Sequence, residues 1–179
     1  MGVGRGSGTG AVTKPVSLVL DTNVVIDWLV FDHPFMNPLR DGVRGKQVRV
    51  LTHTPALDEL KRVLAYRQLK IDETRQREIF DRYCSQTEIA TMPPDFGLKQ
   101  LMLPGGFPRC RDRDDEHFLA LAYHARADAL VSRDNAVYGL KSRAAKFGLT
   151  IWNVPQMIEA LSPMTSPAAP MASENTGKI

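Results

Sequence analysis

Apolar positions along this chain fall into short continuous runs that alternate with stretches of helical period. Val16 to Leu20 is such a run, ending at Asp21, and has the look of a strand buried on both faces. Val24 to Val30 carries enough apolar residues for a helix, broken near His33-Pro34 because a residue before proline is pushed out of helical geometry. Val48 to Leu51 reads as a second strand. Thr54-Pro55 suits a helix start, since Thr can cap free amides and Pro is tolerated in the first turn. Leu57, Leu60, Val63 and Leu64 form that helix's apolar face, and Asp72 caps a further helix burying Ile79, Phe80 and Tyr83. After Met92-Pro93-Pro94 comes a loop-like stretch, Pro104-Gly105-Gly106-Phe107-Pro108, dense in turn residues. A helix then runs from Asp115 with Phe118, Leu119, Leu121, Ala122 and Ala125. Ala129 to Val131 is a strand, Asn135 to Lys146 mostly helical, Leu149 to Trp152 a last strand, and Pro155 to Leu161 a last helix.

Strands alternating with helices imply a parallel sheet covered on both sides. The expected fold class is therefore α/β, with three layers around a central, mainly parallel sheet. Residues 1–14, rich in Gly and Ser, are expected to be a flexible arm, 15–161 the folded domain, and 162–179 a disordered tail. The glycines at 2, 4, 6 and 8 are not a phosphate loop, because no strand precedes them and no Gly-Lys-Ser/Thr follows.

Composition adds bounds. With 179 residues, 43% hydrophobic and 24% charged, the chain has room for one ordinary core. No apolar run approaches the ~20 residues of a membrane span, and the opening residues lack a secretory apolar stretch. The expectation is a cytoplasmic protein that does not engage a membrane, with Cys84 and Cys110 as reduced thiols. A net charge of +3 suits a polyanionic partner without demanding one.

The placement of acidic residues says more. Ligands of a parallel sheet gather beyond the carboxyl ends of its strands. Asp21 follows the first strand and Asp134 follows the Ala129–Val131 strand, so both emerge at one edge. Glu59 lies early in the helix after the second strand, and Asp115 starts the long apolar helix, with Asp112 and Asp114 just before it. Each alone has an ordinary explanation as a cap, a turn or a solvated charge. Together they suggest convergence. Two like charges 4 Å apart repel by about 4 kcal/mol at an effective dielectric of 20, so such a cluster calls for a cation. All-oxygen donors favour Mg2+ or Mn2+ over zinc.

These segments resemble a known family. Leu18-Val-Leu-Asp-Thr-Asn23 is similar to the opening signature of PIN domains. Leu57-Asp-Glu-Leu60 resembles the family's second acidic site, with the role on Glu59 rather than Asp58. The stretch Arg111 to Ala122 resembles the third, selecting Asp115 with Asp114 as its rival, and Ala127 to Asp134 the fourth. The likeness covers roughly Val16 to Leu161, with the motifs in family order, and is nearest to toxins of bacterial toxin–antitoxin systems. It implies a three-layer α/β/α domain and a Mg2+- or Mn2+-dependent endoribonuclease, often a homodimer and often restrained by a cognate antitoxin. By the same resemblance, Asp21, Glu59, Asp115 and Asp134 are catalytic metal ligands, and Asn23 and Ser132 orient Asp21 and Asp134 by hydrogen bonding. Asn135 to Tyr138 lacks a further acidic residue that many relatives carry, which weakens the case for a second metal.

RNA phosphates would meet basic residues near the acidic edge, foremost Arg111, Arg113 and Arg133. Tyr66, Phe107 and Tyr138 are candidates for stacking on a base. Two rivals stand beside the nuclease. A haloacid-dehalogenase-like phosphatase needs a second Asp two positions after the first, where this chain has Asn23. A non-catalytic PIN-like RNA-binding or interaction module remains as the alternative.

Overall fold

β1 (Val16–Leu20) lies at the centre of a five-stranded, wholly parallel sheet of order β3-β2-β1-β4-β5, with β2 (Val48–Thr52), β3 (Thr87–Ile89), β4 (Ala129–Val131) and β5 (Ile151–Trp152). The computed structural model describes residues 14–97 and 100–165. Of the arm expected over residues 1–14, all but Lys14 lies outside the described residues, as does the expected tail beyond Thr165.

Successive side chains of a strand point to opposite faces, and here both faces are apolar. Leu18, Leu20, Val48, Val50, Ala129 and Val131 enter one core, while Val19, Leu51, Leu130 and Ile151 enter the other. The first core is closed by α1 (Thr22–Leu29), α2 (Asn37–Arg44), α3 (Thr54–Leu64), α4 (Glu73–Gln86) and α8 (Val154–Thr165). The second is closed by α5 (Glu116–His124), α6 (Asn135–Tyr138) and α7 (Lys141–Ala144). This is the three-layer α/β/α arrangement that the alternating pattern implies.

Several local details differ from the sequence reading. The cap of α3 is His53, whose Nδ1 accepts the Ala56 N–H at 3.4 Å, and Thr54 is already helical. Asp72 does cap α4, accepting the Arg75 N–H at 2.9 Å. The stretch Asn135 to Lys146 is two short helices and a 3-10 turn rather than one helix. The last helix runs four residues past Leu161, through Pro163 to Thr165. Two elements, α2 and β3, have no counterpart in the apolar pattern. α2 buries only Leu39 and Gly42, and β3 is an edge strand whose Glu88 pairs with Arg49 of β2. No helix among the described residues is long and apolar enough to cross a membrane.

The order of strands positions the site. From β1 the chain builds outward on one side through β2 and β3, then returns to place β4 and β5 on the other. The carboxyl ends of β1 and β4 therefore border the crevice where the winding reverses, the favoured ligand position of an open α/β sheet. Leu20 pairs with Val131 there, and the Asp21 N–H reaches the Val131 carbonyl at 3.0 Å. The opposite end of this pair is also pinned. Asp128 accepts both the N–H and the hydroxyl of Ser17, at 2.7 and 2.6 Å.

Candidate active site

Asp21 stands at the switch point and is 5% exposed. One carboxylate oxygen accepts the Val24 N–H at 2.9 Å, which caps α1. The other accepts the Ser132 hydroxyl and, at 3.0 Å, the Arg133 N–H. Burial pushes its carboxyl up from the ordinary range. The Ser132, Val24 and Arg133 donors pull it back, the Glu59 charge adds to the rise, and the balance stays raised. Ser132, fully buried, also accepts the Asp134 N–H on its hydroxyl at 3.0 Å. A single hydroxyl thus links the two strand-end acids. Asn23 is exposed, and among the described residues it makes no hydrogen bond to Asp21 or Asp134.

Asp134 caps α6 by accepting the Ala136 N–H. Asp115 occupies the cap position of α5, yet its side chain makes no capping bond, so helix capping does not account for it. Its carboxyl is pushed up to about 7, first by burial and then by the charges of Asp134, Asp112, Asp21 and Glu59. Acids from three other segments, and Asp112 from its own, thus impose their field on one group. Asp114, the rival position, is exposed, and its N–H turns back onto Asp112 at 2.9 Å.

Glu59 is partly buried in the second turn of α3, while the neighbouring Asp58 is exposed. One Glu59 oxygen lies 2.8 Å from Nε2 of His117, a residue of α5 that is 5% exposed. Burial alone would raise the Glu59 carboxyl. The His117 and Thr22 hydrogen bonds, together with the nearby positive charge that includes Arg62, outweigh it and hold the group below the usual range. His117 packs beside His53, with ring centroids 5.1 Å apart. The His53 imidazole is lowered to about 4, chiefly by burial, and is neutral at pH 7. Neither histidine is among the residues that the sequence motifs select. The available signal was a His on the helix Glu116–His124, buried through Ala122, where a polar ring needs a partner.

Two crevices flank the acids. One, of about 850 Å³, is lined by Glu59, Arg62, Phe96, Arg113, Asp114 and His117; the other, of about 480 Å³, by Asn23, Asp27, Phe31, Arg133, Asp134 and Asn135. Arg111 and Arg113 are exposed. The Arg133 guanidinium borders the smaller crevice and also has a protein partner. It donates to both oxygens of Asp27, at 2.8 and 2.7 Å, and Asp27 is 2% exposed. Of the candidate stacking rings, Phe107 is core, Tyr138 carries Lys141 over its face, and Tyr66 is exposed away from both crevices.

The profile of the PIN domain family matches residues 17–136, which is more than half of the chain. The chain belongs to the PIN-domain family. Members of this family are generally nucleases, commonly metal-dependent, and generally bind divalent cations such as Mg2+. Among solved structures, the chain is similar to PAE2754 from Pyrobaculum aerophilum, at 13% identity and a TM-score of 0.51, over 85% of this chain and 94% of that one. At that identity the likeness concerns the fold alone. No curated protein matches the chain.

The acids of this PIN domain fit a hard dication in donor chemistry. Their oxygens are the right type, and a carboxyl holding its proton to about 7 among other carboxylates is a site short of positive charge. Among the described residues, however, no group of three or more His, Cys, Asp or Glu side chains is arranged to hold a metal ion. The acids share an electrostatic field rather than a closed shell.

Proposed function

We propose that this PIN domain is a Mg2+- or Mn2+-dependent endoribonuclease in which Asp21, Glu59, Asp115 and Asp134 hold the metal. The observation that carries the reading is the placement of Asp21 and Asp134 at the adjoining carboxyl ends of β1 and β4, linked through the Ser132 hydroxyl, with the charges of Asp134, Asp21 and Glu59 all acting on Asp115. A bound dication would supply an activated water and neutralise charge developing on the phosphate. The chain's own groups do the rest. Ser132 fixes the carboxylate of Asp21 and the backbone of Asp134 in one arrangement. His117 holds Glu59 ionised and pointed inward. Arg111 and Arg113, exposed beside Asp115, are suited to phosphate contacts, and Arg113 borders the larger crevice. Arg133 serves Asp21 through its backbone N–H while its side chain neutralises Asp27.

The likeness of the four motifs to toxins of toxin–antitoxin systems supports a toxin role, with RNA as substrate, a cognate antitoxin as partner and a homodimer as the working unit. A non-catalytic RNA-binding module is the second reading. It is favoured by one observation: both oxygens of Asp21 already have protein donors, and one oxygen of Glu59 has His117.

Incubating the full chain with labelled single-stranded RNA separates them. The nuclease reading expects cleavage with Mn2+, abolished by EDTA and by Asp21→Asn. Because Asp21 also caps α1, Asp115→Asn is the parallel variant with no cap to lose. RNA bound but uncut under every condition would leave the binding module.

A further inference from the structure

Phe31, His33 and Phe35 form an exposed row of rings just after α1. Phe31 is 52% exposed and Phe35 47%, the His33 side chain 44%. The Phe31 and His33 centroids are 5.6 Å apart, and His33 stacks on Phe35 at 5.0 Å with planes 18° apart. The segment beneath is anchored. Met36 is fully buried, the His33 N–H donates to the Asp27 carbonyl at 3.2 Å, and Arg40 donates to the side chains of Asp32 and Asn37. The rings are thus held in place against one another while the outer surfaces of Phe31 and Phe35 stay in water, a poor arrangement for apolar surface that has no partner.

Phe31 lines the smaller crevice together with Asn23, Arg133 and Asp134, so the row begins at the acidic group and leads away from it. We propose that Phe31, His33 and Phe35 are a stacking platform for unpaired bases of the RNA strand on the Asp134 side of the site; this rests on the nuclease reading above. Every base offers a π-face, so a run of rings grips a strand without regard to sequence. Bases inside a duplex have both faces covered and cannot use it. Continuity with the acidic crevice favours nucleic acid as the occupant, because Phe31 and Asp134 line the same hollow and a strand held at the acids would reach the rings with its neighbouring bases. The platform makes the enzyme selective for single strands.

The test measures binding of a labelled single strand of about ten nucleotides to the full chain in EDTA, where it stays intact, beside a duplex of the same sequence. Phe31→Leu with Phe35→Leu keeps apolar bulk and removes two π-faces. The platform predicts about tenfold weaker binding of the single strand, with duplex binding, melting temperature and light-scattering mass unchanged, and recovery in Phe31→Tyr with Phe35→Tyr. Undiminished single-strand affinity in the double Leu variant overturns it, as does a change in oligomeric mass, which would assign the rings to a protein interface. If the wild type cuts RNA with Mn2+ and the double Leu variant has the same KM, the platform falls and the nuclease stands. A wild type that neither binds nor cuts RNA removes both.

Discussion

The imidazole of His117 stands 2.8 Å from a carboxylate oxygen of Glu59, tying α5 to α3 across the mouth of the larger crevice. The two residues are 58 positions apart, so only the docking of the two helices brings them together. Groups that orient a ligating side chain commonly matter about 10–100-fold in metal affinity or activity. His117→Ala is expected to lower Mn2+ affinity and RNA cleavage within that range, measured by calorimetry and single-turnover kinetics. Wild-type values for both would show Glu59 needs no help.

Metal binding should depend on pH through Asp115. Its folded pKa of about 7 lies above the ordinary aspartate value of 3.8, so the folded, metal-free chain holds that proton more tightly than the unfolded chain. The stabilisation from this difference is complete below 3.8 and is lost as pH rises through 7. In EDTA, the melting temperature should therefore carry a decline with rising pH across that window, and Asp115→Asn should abolish that component. Because a cation competes with the proton, Mn2+ affinity should climb through about pH 7 and then level. An affinity independent of pH between 5 and 8 would remove Asp115 from the ligand set.

Arg133 is expected to act on stability more than on RNA. Asp27 is 2% exposed and depends on the Arg133 guanidinium, with His33 Nε2 a further 3.9 Å from it. Arg133→Ala leaves that carboxylate poorly compensated; since the arginine is half exposed, the expected loss is about 2 kcal/mol rather than the larger cost of a fully buried pair. Arg111→Ala and Arg113→Ala should leave the denaturation midpoint in place and weaken RNA binding instead. The reverse pattern in urea melts and binding curves would make Arg133 a phosphate contact.

Asp128 belongs to the fold rather than the chemistry. It accepts from Ser17 at the end of the sheet opposite the acids, and these donors, outweighing burial, hold its carboxyl below the ordinary range. The stability it provides is present above the unfolded pKa and is lost as pH falls through the lower, folded one. Asp128→Ala should cost about 1 kcal/mol at neutral pH, given its exposure, and leave kcat unchanged.

The sheet's inner strands were legible because Val16–Leu20 and Ala129–Val131 are apolar on both faces and end in acids. Asp21 and Asp134, directly after those runs, put both acids at one edge of the sheet. What escaped had weak or distant signals. Thr87–Ile89 is an edge strand held by an ion pair to Arg49, with no apolar run to mark it. Asn37–Arg44 turns little more than Leu39 inward. His53 and His117 meet only after α3 and α5 dock, and nothing in the segment of Arg133 points to its partner Asp27. Local pattern specifies elements and strand ends; side-chain partners depend on packing between them.

The most direct measurement of the central claim is anomalous diffraction from crystals grown with Mn2+. The account predicts a peak at the β1–β4 switch point, about 2.0–2.3 Å from carboxylate oxygens of the Asp21, Glu59, Asp115 and Asp134 set, and absent in Asp115→Asn. Fully loaded crystals with no peak there, or with manganese only at other surfaces, would contradict it.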